Sequence, residues 1–435
     1  MPDMPKSPKT RHPWDPYPWG HALYCDKGTH QEMVEGNITV VDAANAADTA
    51  QDGTFEHPYA SIGQAVELAG ENSTIFVCEG LYREEVVLRP GQRLTSYLHP
   101  KHSSYYTTRT PPVIAPERVS RRHRVEDEDG EVEEYGAVVT MPENTHLNHM
   151  TVVASAPNVA AVWGEPAIGC RDSFVALAGN TLNSAGGDAL RLNLQSGGRT
   201  GMVSLLLNTI VTTPCPANEF RTVAMNVVFA PDEGSRTMEN GGEEKAADMA
   251  KESLLLLTNN LHAPEGICML LDLPGSANEV KLIKNMLSGY QGILLNLDTD
   301  GNWVAMLRNT VCVTGGVGSV HNFNISRNPA PDEVIPDSAP IGLFVEDFSS
   351  PDTGGIAVLD MQNNHIVATD AFACGIRLRE PVGRKEHLLD FARIAATNSI
   401  RAQGEAAQVF LGSVRKEDDG EQVWLAEPGP DFNTK

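Results

Sequence analysis

The chain has 435 residues, with 33 basic against 57 acidic side chains and a formal net charge of −24. That length buries a sizeable core, and a repeating fold can use all of it as one domain. The acidic balance excludes nucleic acid as a main partner and disfavours an anionic membrane face, because both need a basic surface. In chain order, residues 1–36 come first, with Pro2, Pro5, Pro8, Pro13, Pro16 and Pro18 denying them regular structure and predicting an extended arm. Its aromatics Trp14, Tyr17 and Trp19 need a surface to pack on. That surface is this chain's own coil, a second subunit or protein partner, or a sugar. The arm has no apolar leader and the chain no run long enough to span a membrane. Its seven cysteines are scattered singly, most of them in apolar runs, as expected of buried thiols in a reducing cytosol. A virion or other particle component made there reads the same way.

Residues 40–98 hold the densest local signals. Asp52-Gly53 marks a turn, and Ile62, Ala65, Val66 and Ala69 share one helical face with Ser61 as N-cap and Gly70 as stop. Two apolar strands follow, 74–77 and 85–88, separated by a corner at Gly80-Leu81-Tyr82 and ended by a Pro90-Gly91 turn. Taken together, Asp52-Gly-Thr, His57-Pro-Tyr, Ser61-Ile, Ala65-Val, Thr74-Ile-x-Val, Gly80-x-Tyr-x-Glu and Val86-x-Leu-x-x-Gly resemble the opening of right-handed parallel β-helix proteins, the pectin-lyase-like superfamily. The resemblance implies an all-β, single-stranded right-handed parallel β-helix with a short N-terminal capping helix. It is specific for fold and poor for function, since one solenoid carries many chemistries.

Residues 99–135 interrupt the pattern with a hairpin around Asp129-Gly130. Arg118, Arg121, Arg122 and Arg124 on one arm answer Glu131, Glu133 and Glu134 on the other. From residue 136 a repeat begins: an apolar strand, an Asn, an apolar residue, a short loop, then Gly and a second apolar strand. It is read at Asn148, Asn180, Asn208, Asn259, Asn285, Asn309, Asn364 and Asn398, with Gly187, Gly266, Gly292 and Gly375 opening second strands. Spacings such as 26 residues from Asn259 to Asn285 and 24 from there to Asn309 suit one solenoid turn each. The longer gaps from Asn208 to Asn259 and from Asn309 to Asn364 hold surface insertions, near 231–251 and 321–340. The Asn itself is expected to take the left-handed backbone of a corner and to bond its neighbours along the coil. The coil is thus assigned to 37–413, and 414–435 to a cap or tail with Trp424 and Leu425 over the last turn.

The segments Asp52-Gly-Thr-Phe and Gly80-Leu-Tyr-Arg-Glu-Glu-Val also resemble pectin methylesterases, but that family's Asp-bearing and Arg-bearing catalytic strands are missing, as are the paired aspartates of polygalacturonases. The leading expectation is therefore a non-catalytic structural or binding protein that contacts carbohydrate and self-associates through its arm. The alternative is a polysaccharide lyase on a uronate polymer, with Lys284 and Arg308 stacked on adjacent turns as its cations. If Ile283 and Leu307 face the core, those two cations face outward. The second strands offer outward Arg191, Asp272, Asn296, Arg377 and Arg379 as a ligand face. No cofactor is implied: Asp298-Thr-Asp-Gly-Asn302 hints at calcium but lacks the rest of the loop pattern, and His146 and His149, three apart on a strand, point to opposite faces and share no metal.

Overall fold

A computed structural model of the protein describes residues 38–45, 50–96, 110–126, 132–164, 174–195, 202–214, 222–230, 252–273, 278–297, 302–315, 340–347, 358–369, 373–381, 391–403, 409–416 and 422–428. The arm with Trp14, Tyr17 and Trp19 lies outside them, as do Cys25, Cys170 and Cys215. The chain is a right-handed parallel β-helix. A first ladder forms a 10-stranded sheet from Ile38–Val41 to Val358–Gln362. A 20-stranded sheet carries two more ladders. The second ladder follows each corner, as in Thr181–Ala185, Thr209–Thr213 and Thr310–Thr314. The third includes Val159–Gly164, Leu190–Gln195, Val223–Ala230, Ile341–Asp347 and Cys374–Pro381. In two turns the second and third strands run together as Asn260–Leu273 and Met286–Leu297.

Pairing is parallel along the coil. The exceptions among the described residues are a hairpin of Arg122–Glu126 on Val132–Met141 and a closing pair of Val409–Lys416 with Gln422–Pro428. In the hairpin Arg124 pairs with Glu134 at 3.3 Å, as the charge pattern predicts. Within residues 99–135, Val113–Ile114 is itself a strand, registered between Leu81–Tyr82 and Thr151–Ala154. The alternation that buries Leu190, Leu192 and Leu194 also turns Arg191 and Asn193 outward, and the inward set joins one apolar core along the coil.

The sequence-predicted helix is α1, Ile62–Leu68, with the Ser61 hydroxyl accepting from the N–H of Gln64. The Glu84 carboxylate accepts from the N–H groups of Ile62 and Gly63 at 2.8 and 2.7 Å, a charge at the helix N-terminus. It is not alone. A second helix, α2 (Phe391–Thr397), packs on the last strand of the first ladder.

The corners correct the sequence reading in two ways. The left-handed backbone belongs to the residue before the Asn: φ is 56° at Leu207, 58° at Thr258, 55° at Lys284, 56° at Arg308 and 55° at Asn363, while Asn398 follows a helix instead. This leaves the Asn free to bond. The N–H and Nδ2 of Asn259 both donate to Oδ1 of Asn285 at 2.9 and 3.0 Å, and Nδ2 also reaches the carbonyl of Leu205. The same pattern links Asn180, Asn208, Asn259, Asn285, Asn309, Asn364 and Asn398. Asn208 bonds Asn259 directly and Asn309 bonds Asn364, so the two long sequence gaps are excursions within single turns. Second, Asn148 is not a member. It registers with Ala178, two residues ahead of the column, and the column position in its turn is Met150, whose N–H donates to Oδ1 of Asn180. The repeat glycines serve close approach between turns: a Cβ on Gly292 would collide with the carbonyl oxygen of Gly342.

Candidate functional site

The outward side of the third ladder gathers the polar residues that the alternation predicted. Register fixes two columns about 4.8 Å per turn apart. One runs Thr140, Trp163, Arg191, Asn226, Leu270, Leu294, Phe344, Arg377. The other runs Asn193, Val228, Asp272, Asn296, Glu346, Arg379. The sequence-predicted ligand residues Arg191, Asp272, Asn296, Arg377 and Arg379 therefore share one face. They do not form one open stripe, because Leu294 and Phe344 intervene and are buried, and Arg377 lies 5.2 Å from the Phe344 ring centroid. Glu346 is buried too, at 2 % exposure. The side chain of Arg379 is outside the described set.

Arg191 anchors the best-defined cluster. Its guanidinium lies 4.4 Å from the Tyr135 ring centroid and 5.3 Å from that of Trp163. Trp163 in turn stacks on His123 at 4.4 Å and 12°, and His123 Nε2 meets the Thr140 hydroxyl at 3.2 Å. His123 and Tyr135 come from the hairpin, which folds across the outer face and covers the cluster. Arg191 donates to Asp188 Oδ2 at 3.3 Å, and Asn226 Nδ2 donates to the same oxygen at 2.9 Å. Arg191, Asp188 and Asn226 are 7 %, 6 % and 9 % exposed. Nevertheless Arg191 Nε, Asn226 Oδ1 and, two turns on, Asn296 Oδ1 are buried without a hydrogen-bond partner. Such orphans are uncommon in native folds. Sequence reasoning missed Asp188, Asn226, Trp163 and Tyr135. Asn226 was within its reach, since it sits on the outward phase of the strand.

The proposed lyase cations stand elsewhere. Lys284 and Arg308 are exposed on adjacent corners, so the sequence expectation of outward cations holds, but for a different reason. The core-facing residues are Leu282 and Met306, while Ile283 and Leu307 are half-buried and point away from the core. Neither cation has the enclosure that a catalytic base needs. His146 is buried on the first ladder beside Arg93, and burial first, then that positive charge, holds its imidazole down to about 3. His149 sits apart from it in a corner at φ 61°. Burial raises the thiols of Cys78 and Cys268 to about 12, so both stay protonated and unreactive at neutral pH.

Among the described residues, no three His, Cys, Asp or Glu stand together as a metal site, and no helix is long and apolar enough to cross a membrane. Of the suspected calcium loop, 298–301 lies outside the described residues, and the Asn302 amide donates to the Leu273 carbonyl at 3.3 Å.

No family model matches the chain, and no curated protein sequence matches it. Among solved structures it is similar to the GH136 lacto-N-biosidase of Eubacterium ramulus, at 9 % identity and a TM-score of 0.45 over 87 % of this chain and 68 % of that one. It is also similar to a pectin methylesterase in complex with a hexasaccharide, at 10 % identity and a TM-score of 0.27 over 89 % and 84 % of the two chains. At these scores the likeness carries no functional argument, and the fold rests on the strand pairings above.

Proposed function

We propose that the protein is a carbohydrate-binding solenoid that presents the outer side of its third ladder to a glycan and does not turn it over. The observation that carries this reading is the set of buried, unpartnered polar atoms on that face: Arg191 Nε, Asn226 Oδ1 and Asn296 Oδ1. Guanidinium, amide and carboxylate groups beside aromatic rings match what a sugar offers, namely hydroxyls that both donate and accept and apolar C–H faces. The test is calorimetric titration of the full chain with neutral and uronate polysaccharides, alongside ultraviolet detection of unsaturated products. Saturable binding without product formation is expected. Absence of binding to every glycan sinks the reading, and turnover lost in Lys284→Ala or Arg308→Ala replaces it with lyase chemistry.

Self-association through the arm is part of the same proposal. Deleting residues 1–24 tests it by mass measurement, and an unchanged oligomer rules it out.

A further inference from the structure

The Asp188–Arg191–Asn226 cluster is matched in charge but not in hydrogen bonds. One carboxylate answers one guanidinium, at 3.3 Å, and the Asn226 amide donates to that same carboxylate oxygen at 2.9 Å. The buried side-chain atoms of this cluster left without a hydrogen-bond partner are one donor, Arg191 Nε–H, and one acceptor, Asn226 Oδ1. Both side chains are more than nine-tenths buried. They sit directly opposite each other on adjacent turns, about 4.8 Å apart along the ladder. Leaving each unsatisfied costs about 1–3 kcal/mol.

A group that relieves both must accept from an N–H and donate to an amide oxygen. A hydroxyl does both. A carboxylate only accepts, so it would leave Oδ1 bare and would face the Asp188 carboxylate besides. Arg191, already neutralised by Asp188, has no free charge to offer an anion. We infer that this cluster is a subsite for a hydroxyl of a neutral sugar, and that it selects against uronates. The inference rests on the glycan-binding reading and narrows it. The hairpin strand Arg122–Glu126, which lies against the cluster through His123, pairs among the described strands with Val132–Met141 alone.

The test is calorimetry of the full chain with methyl glucoside, methyl galactoside, methyl mannoside, N-acetylglucosamine and galacturonate. At least one neutral sugar is expected to saturate the protein, with galacturonate about tenfold weaker or worse. Asn226→Leu removes the acceptor and should weaken that sugar by about tenfold or more while the melting temperature holds. Arg191→Lys keeps the charge but removes Nε, and should lose a similar factor; it decides the matter if Asn226→Leu fails to fold. The subsite is overturned if no neutral sugar saturates, as for a site that holds only buried water. It is equally overturned if galacturonate binds better, or if the folded variants bind unchanged. Polysaccharide binding that survives Asn226→Leu intact overturns the subsite and leaves the glycan-binding reading standing, whereas failure of every glycan overturns both.

Discussion

Two columns of polar side chains run along this coil, and they differ in one respect. In the corner column each Asn between Asn208 and Asn364 has its amide oxygen taking two donors from the preceding turn and its amide nitrogen donating twice, all at 2.8–3.1 Å. The third-ladder column is also buried around Arg191 and Asn226, though less deeply, yet it mixes residue types from turn to turn and leaves polar atoms unmet. Uniform repetition with full satisfaction is what stability requires of a solenoid. Irregularity with orphaned atoms is what the proposed glycan subsite would require. Burial alone does not separate the two; hydrogen-bond completeness does.

That contrast can be broken most forcefully at Asn285. Asn285→Ala strands two donors of Asn259 and the carbonyl of Leu256, and is expected to destabilise by about 3–5 kcal/mol, read as a fall in the thermal or denaturant midpoint. Asp188→Ala comes next, at about 3 kcal/mol, because it leaves the buried Arg191 charge uncompensated. Asn226→Leu, also at a buried position, should change stability by less than about 1 kcal/mol, since it also removes an orphan. If Asn226→Leu proves as damaging as Asn285→Ala, the two columns are alike and the distinction fails.

The pH dependence matches Asp188→Ala in size. His146 stays neutral in the folded chain down to about 3 but takes a proton near 6.5 when unfolded. The unfolded state therefore binds more protons between those values, so stability is full above pH 6.5 and falls as pH drops toward 3. Wild type should lose roughly 3 kcal/mol more than His146→Gln between pH 7 and 4, measured by denaturant titration. The corner offers a gain in place of a loss. Thr258 is β-branched at φ 58°, and Thr258→Gly should stabilise by about 1 kcal/mol, where Gly179 already occupies the equivalent corner at φ 65°.

Much of the fold was legible because it rests on periodicity. The face of Ile62, Ala65, Val66 and Ala69 and the bonding of successive Asn residues along the coil became what they predicted, whereas Gly266 and Gly292 lie inside continuous strands. Asn148 misled because Leu147-Asn148-His149 copies the motif two residues early, and only register against Ala178 reveals the offset. The left-handed residue was misplaced because that position has no residue signature: Gly, Leu, Thr, Lys, Arg and Asn fill it ahead of an Asn, and His149 fills it ahead of Met150. The outward direction of Arg191, Asp272, Asn296 and Arg377 followed from alternation. The burial of Arg191 did not, because it depends on Tyr135 and Trp163 packed over its guanidinium and on Asp188, which Asn226 bonds from 38 residues away.

The Asn column also has a direction, and α2 ends it. Each turn's N–H waits for an acceptor that the next turn brings, so a growing stack always shows the same hungry edge at its C-terminal side. At Asn398 the backbone N–H and Nδ2 turn instead to the carbonyl of Ile394 in the helix. A chain stopped after the Val358–Gln362 turn would keep that edge bare and could template a foreign turn, linking molecules tip to tail. The helix in this sense stops the first ladder, while the other two ladders run one strand further.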